Sequence, residues 1–159
     1  MARRNADLRC KCTFVLLFDP GSELGDRCRL TSETCIIDNE FFFVRGCIEI
    51  PVLGASEPYV WGAWVSLSSK SFDEFVPTFD EPNRSEFGPY FGWLSTEFLV
   101  YPSSQNLKTH VHIRPSGVRP FIEVEPTEHP LAVEQRTGIT VERLGEIYAA
   151  YMHGPLAEP

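Results

Sequence analysis

The stretch CIIDNEFFFVRGCIEIPV, Cys35 to Val52, decides the fold class. Apolar, β-branched and aromatic runs flank Asp38-Asn39, two residues that tolerate positive φ, so the spacing predicts a tight β-hairpin. Gly46 interrupts the second arm and predicts a bulge or bend there. Downstream, LKTHVHIR, Leu107 to Arg114, alternates strictly: Leu107, Thr109, Val111 and Ile113 share one face, Lys108, His110, His112 and Arg114 the other. A Ser116-Gly117 corner leads from it into the alternating VRPFIEVEP, a second hairpin. Between the two hairpins, YVWGAWVSL (Tyr59 to Leu67) reads as a strand covered on both sides, and FGWLSTEFLVYP (Phe91 to Pro102) as an extended segment.

The helical signals are later and shorter. Ser71 with Glu74 has the form of a capping box, and Phe72, Phe75, Val76 and Phe79 keep helical spacing, but Pro77 restricts that element to one or two turns. In HPLAVEQRTG, Pro130 suits a first helical position and Gly138 the position past the end. TVERLGEIYAAYMHG follows, with Thr140 as N-cap, Val141, Leu144, Ile147, Tyr148 and Tyr151 as the apolar stripe, and Gly154-Pro155 as the stop. Strands come first and helices last, with no βαβ alternation. The expectation is an α+β fold: a largely antiparallel sheet of hairpins with C-terminal helices packed on it. Residues 1–25 read as a divergent N-terminal segment and residues 26–159 as a single domain.

The chain has 159 residues, 43% of them hydrophobic and 23% charged, which suits one folded domain with a real core. A net charge of -8 repels nucleic acid and anionic membrane, so neither is an expected partner. Arg3 and Arg4 precede only the six-residue TFVLLF before Asp19, too little for a signal peptide, and no run approaches the about 20 apolar residues that span a bilayer. A cytoplasmic location is the expectation. The five cysteines would there be thiols.

Which residues carry chemistry? His110 and His112, two apart on a strand, present both imidazoles to one side, where Glu123, Glu125 or His129 would complete a metal site. The plainer reading is a solvated face in which Lys108 and Arg114 pair with Glu123 and Glu125 across the hairpin. A third reading makes Lys108, His110, His112 and Arg114 a binding ladder for a partner or an anionic ligand, and these four are candidate binding residues on that reading. Cys10, Cys12, Cys28 and Cys35 make a weak zinc set, because neither the one-residue nor the six-residue gap matches a C-x₂₋₄-C knuckle; Cys35 and Cys47 fit better as small buried apolar residues. Trp64 and Trp93, with Trp61, Tyr90 and Phe91, would line a pocket or fill the core. Arg45 follows FFFV, and if it points inward it needs a carboxylate, for which Glu49 and Asp73 are candidates. Signatures of nucleophilic catalysis and glycine-rich phosphate loops are absent from the sequence.

As a set, CIIDNEFFFVRGCIEIPV, WGAWVSLS, YFGWL and YPSSQNLKTHVHIRPSGVRPFIEVEPTEHPLAVEQRTGITVER resemble the bacterial domain of unknown function 2199 (DUF2199) family, over Asp26 to Arg143. The resemblance implies a small soluble bacterial protein and brings no established activity or catalytic residue. Family members often open with C-x-x-C-G and a following histidine, half of a metal knuckle. Here the opening is LRCKCTFVLLFDPGSELG, C-x-C without that glycine or histidine, a departure that puts the zinc role in doubt and leaves no cofactor as the expectation, with zinc the weak alternative. The functional expectation is a non-enzymatic accessory or immunity-type module that binds a protein partner. The alternative is a small metal-binding protein or enzyme using His110, His112 and nearby carboxylates.

Overall fold

The computed structural model describes residues 28–153. Seven strands follow in chain order: β1 (Cys28–Leu30), β2 (Thr34–Ile37), β3 (Phe41–Ile50), β4 (Tyr59–Leu67), β5 (Tyr90–Leu94), β6 (Lys108–His112) and β7 (Phe121–Val124). Each pairs antiparallel with the next, so the sheet is a meander. It does not stay open. β7 returns to β3 in parallel register at Cys47 and Phe121, with Cys47 N donating to Pro120 O at 2.8 Å, and β3 to β7 close into a five-stranded barrel. The expected sheet of hairpins is therefore a barrel, with β1 and β2 as a flap on the first half of β3.

Asp38 and Asn39 both take φ 55 at the β2–β3 turn, as their side chains allow. Gly46, in contrast, forms no bulge. It pairs regularly with Ala63, and its role is close approach: a Cβ there would lie 2.8 Å from Ile122 and from Pro120 O. Below this point β2 has ended its pairing with β3 at Val44, and β7 takes over that edge. Gly46 is thus where the barrel seam closes. Gly92 makes the corresponding allowance between β4 and β5, since a Cβ would meet Val65 Cγ1 at 2.3 Å.

Alternation sorts the barrel's two sides. Val44, Ile48 and Ile50 of β3, Trp61, Ala63, Val65 and Leu67 of β4, and Val111, Ile122 and Val124 of β6 and β7 all point inward and are buried. Burying a Val, Leu or Ile side chain stabilises the fold by about 1.5–3 kcal/mol, so this cluster is the main driving term. A second, smaller cluster lies outside the barrel, where Cys35, Ile37 and Phe43 cover Trp64. Trp64 is only 1% exposed, so of the two readings given for it the structure shows the core one.

Helices close the two ends. α1 (Ser69–Phe75) buries Phe72 and Phe75 at the end marked by Phe42 and Leu67. Its N-cap is Ser68, whose side chain accepts from Ser71 N at 3.1 Å, so the expected capping box at Ser71 is set one turn too late. The helix is short, as Pro77 predicts, and continues as a 3₁₀ turn over Val76–Asp80. At the other end sit α2 (Pro130–Thr137), capped by His129, and α3 (Val141–His153), with Thr140 Oγ1 accepting from Arg143 N. Ile147 of α3 is buried, but Val141 and Tyr148 of the expected stripe face solvent; the Gly154-Pro155 stop lies outside the described residues. Gln135 of α2 does a strand's work: its amide accepts from Val124 N at 2.8 Å and donates to Ile122 O at 2.9 Å, where β3 has left β7 unpaired. Beyond Leu94 the expected extended segment is irregular, packing Phe98 and Tyr101 on Trp61.

Candidate functional site

The outward residues of β5, β6 and β7 form one continuous face. In β5, Tyr90, Gly92 and Leu94 go inward, which leaves Phe91 and Trp93 outside, 41% and 42% exposed, with their rings edge to face at 5.1 Å. The strand register sets Trp93 opposite Lys108 and Phe91 opposite His110, whose ring is 6.0 Å from Phe91. Two aromatic side chains and two basic ones thus alternate across a single strand pair.

Next to them runs a ladder of paired polar side chains. His110 Nε2 is 2.9 Å from Glu125 Oε1 and His112 Nε2 is 3.2 Å from Glu123 Oε1, each one diagonal step off the direct register. Arg114 reaches Glu49 of β3 at 2.8 Å and Arg119 O at 2.7 Å, while Arg119 holds Glu33 at 3.1 Å. The expected partners are therefore reassigned: the histidines take Glu123 and Glu125, and Arg114 crosses the closed seam to β3. Lys108 is exposed and has no ion pair among the described residues. Exposed pairs of this kind contribute at most about 1 kcal/mol each, so the ladder fixes side-chain direction more than it stabilises.

Arg45 does not point into the barrel. It shares the outer side of β3 with Phe43 and Cys47 and is 1% exposed. Its Nη1 donates to Ser32 O at 3.4 Å, and its guanidinium lies 6.0 Å from the Trp64 ring. Burial, then the charge of Arg119, pulls its pKa down. Of the carboxylates expected to meet it, Glu49 is held by Arg114 and Asp73 sits exposed on α1.

No three His, Cys, Asp or Glu side chains among the described residues converge on a point that would hold a metal. His129, the suggested third ligand, is turned away: Nδ1 accepts from Leu131 N as a helix cap, and Nε2 faces Pro102 O and Ser103 O. Cys10 and Cys12 lie outside the described residues; Cys28, Cys35 and Cys47 are free thiols. Cys35 is fully buried as expected, whereas Cys47 is half-buried beside the Arg114–Glu49 pair.

Two features have no counterpart in any local stretch of sequence. Glu134 of α2 accepts from the Tyr101 hydroxyl and, at 2.7 Å, from Arg143 Nε, tying the irregular loop to both C-terminal helices. Burial, and then that bond to a carboxylate, pushes the Tyr101 phenol well above its ordinary range. An open cleft of about 330 Å³ lies at the seam between Glu49, Pro51, Ala55, Glu57, Phe121 and Gln135. Both join segments distant in sequence, so no local pattern marks them.

The family model described as an uncharacterized protein conserved in bacteria (DUF2199) matches residues 9–139. The chain belongs to this family. The match takes in part of the N-terminal segment as well as the whole barrel and α2, so the DUF2199 unit includes the seam, the ladder and the Phe91–Trp93 face. No curated protein and no solved structure matches the chain. No helix among the described residues is long and apolar enough to cross a membrane.

Proposed function

We propose that this DUF2199 protein is a non-enzymatic accessory module, of the immunity type in its simplest form, which docks a protein partner in the cytoplasm through the Phe91–Trp93 face. The observation that carries this reading is two large aromatic rings left adjacent and exposed on a strand whose alternate residues fill the core. Aromatic side chains are the common anchors of protein interfaces, since they desolvate much area at little cost in rotamer entropy. Lys108, exposed opposite Trp93, supplies a cation for a carboxylate on the partner, while the carboxylate-bonded histidines form a polar rim.

The test is quantitative co-purification from the native host with wild type and with a Phe91→Ser, Trp93→Ser double variant. Both should melt at nearly the same temperature. A partner recovered with wild type should be depleted at least about 30-fold by the double variant, two anchors each contributing about 1 kcal/mol or more. An unchanged partner set, with folding intact, rejects this face as the interface.

A further inference from the structure

Cys28 and Cys35 stand apart from the face described above. Their sulfurs are 3.3 Å apart, Cys28 half-buried and Cys35 wholly enclosed in the small outer cluster with Ile37, Phe43 and Trp64. Cys28 pairs in register with Ile37, and Cys35 with Leu30, which makes the two cysteines diagonal neighbours on one side of the flap. Diagonal Cα atoms are about 7–8 Å apart in a sheet, somewhat beyond the about 4.4–6.8 Å that a relaxed disulfide spans. Among the described residues β1 is the edge strand, three residues long and bonded to β2 alone, so it can be drawn inward to close that gap. A disulfide formed under such tension is readily reduced again.

We propose that Cys28 and Cys35 form a reversible, peroxide-driven disulfide that clasps the flap. The half-buried Cys28 is the thiol a peroxide can reach. Its sulfur attacks hydrogen peroxide, an S–O bond forms and the O–O bond breaks, and the departing hydroxide leaves as water with the thiol proton. Cys35 Sγ then attacks the sulfur of the resulting sulfenic acid; the S–S bond forms, the S–O bond breaks, and the second oxygen leaves as water with the Cys35 proton. Two electrons pass from the two thiols to one peroxide, with two waters as product. Burial and the neighbouring Cys28 raise the Cys35 pKa, which keeps it protonated and silent until a sulfenic acid appears beside it.

Full-length protein is treated with a small excess of hydrogen peroxide, alkylated, digested with trypsin without reduction and mapped by mass spectrometry. Arg29 lies between the two cysteines, so their bond joins peptides 28–29 and 30–45. The expected result is that joined pair, two hydrogens lighter than the separate peptides, and its disappearance on adding dithiothreitol. A Cys35→Ser variant should instead accumulate a dimedone-reactive sulfenic acid on Cys28. Should that buried substitution unfold the protein, Cys28→Ser serves: it should leave Cys35 unoxidised under the same treatment. Oxidation of Cys28 that links it to Cys10, Cys12 or Cys47, or that ends in sulfinic acid with Cys35 still a thiol, overturns the assignment.

Discussion

Trp64 and Trp93 occupy outward positions on neighbouring strands of one barrel, each beside a basic residue, yet they live in different worlds. Trp64 lies under Phe43, Cys35 and Ile37 with Arg45 buried against it; Trp93 is bare, with Lys108 opposite and open to solvent. Strand alternation sends both rings the same way. What separates them is whether another element lies over that part of the barrel, and the β1–β2 flap covers only the first half of β3. An outward tryptophan under cover joins the core; one without it keeps its ring in contact with water.

The sharpest way to break this contrast is alanine replacement at both sites. Trp64→Ala should cost about 3–5 kcal/mol, the range for emptying a core aromatic site, while Trp93→Ala should cost about 1 kcal/mol or less. Urea unfolding measures both, and equal losses would abolish the distinction. A chemical probe sharpens it. Cys35, under the flap, should react with a thiol reagent at least about 100-fold more slowly than Cys47, which shares the outer side of β3 but is half-exposed; native labelling read on peptides 30–45 and 46–70 compares them within one sample. Comparable rates would place the flap open most of the time.

The smallest effect belongs to the open face. His110→Thr with His112→Thr keeps the alternation and β propensity of β6 and removes two half-exposed pairs, so stability should change by less than about 0.5 kcal/mol per site. Thermal melts at neutral pH check this. A drop of many degrees would mean that the ladder, like Trp64, is part of the core.

Much of the architecture is local and was legible. The Asp38-Asn39 turn, the alternation of LKTHVHIR, the helix start at Pro130, the cap at Thr140, and the brevity of the helix before Pro77 each follow from residues within a few positions of one another. The candidate face was half legible: parity puts Lys108, His110, His112 and Arg114 together but does not name their partners. Arg114 bonds to Glu49 only because the sheet closes, and closure rests on one register pair between Cys47 and Phe121 with no periodicity to announce it.

By itself, then, the sequence determined the two hairpins, the strand at Tyr59–Leu67, the C-terminal helices and the alternation within LKTHVHIR, since backbone sterics and side-chain alternation act over two to four residues. Only the tertiary structure decided that the meander closes, that Gly46 stands there for lack of room beside Ile122 and Pro120, and that Trp64 is buried while Trp93 is bare. Those outcomes depend on which distant surfaces exclude water from each other. Burial is a property of the assembled molecule, and alternation names only the side on which it can occur.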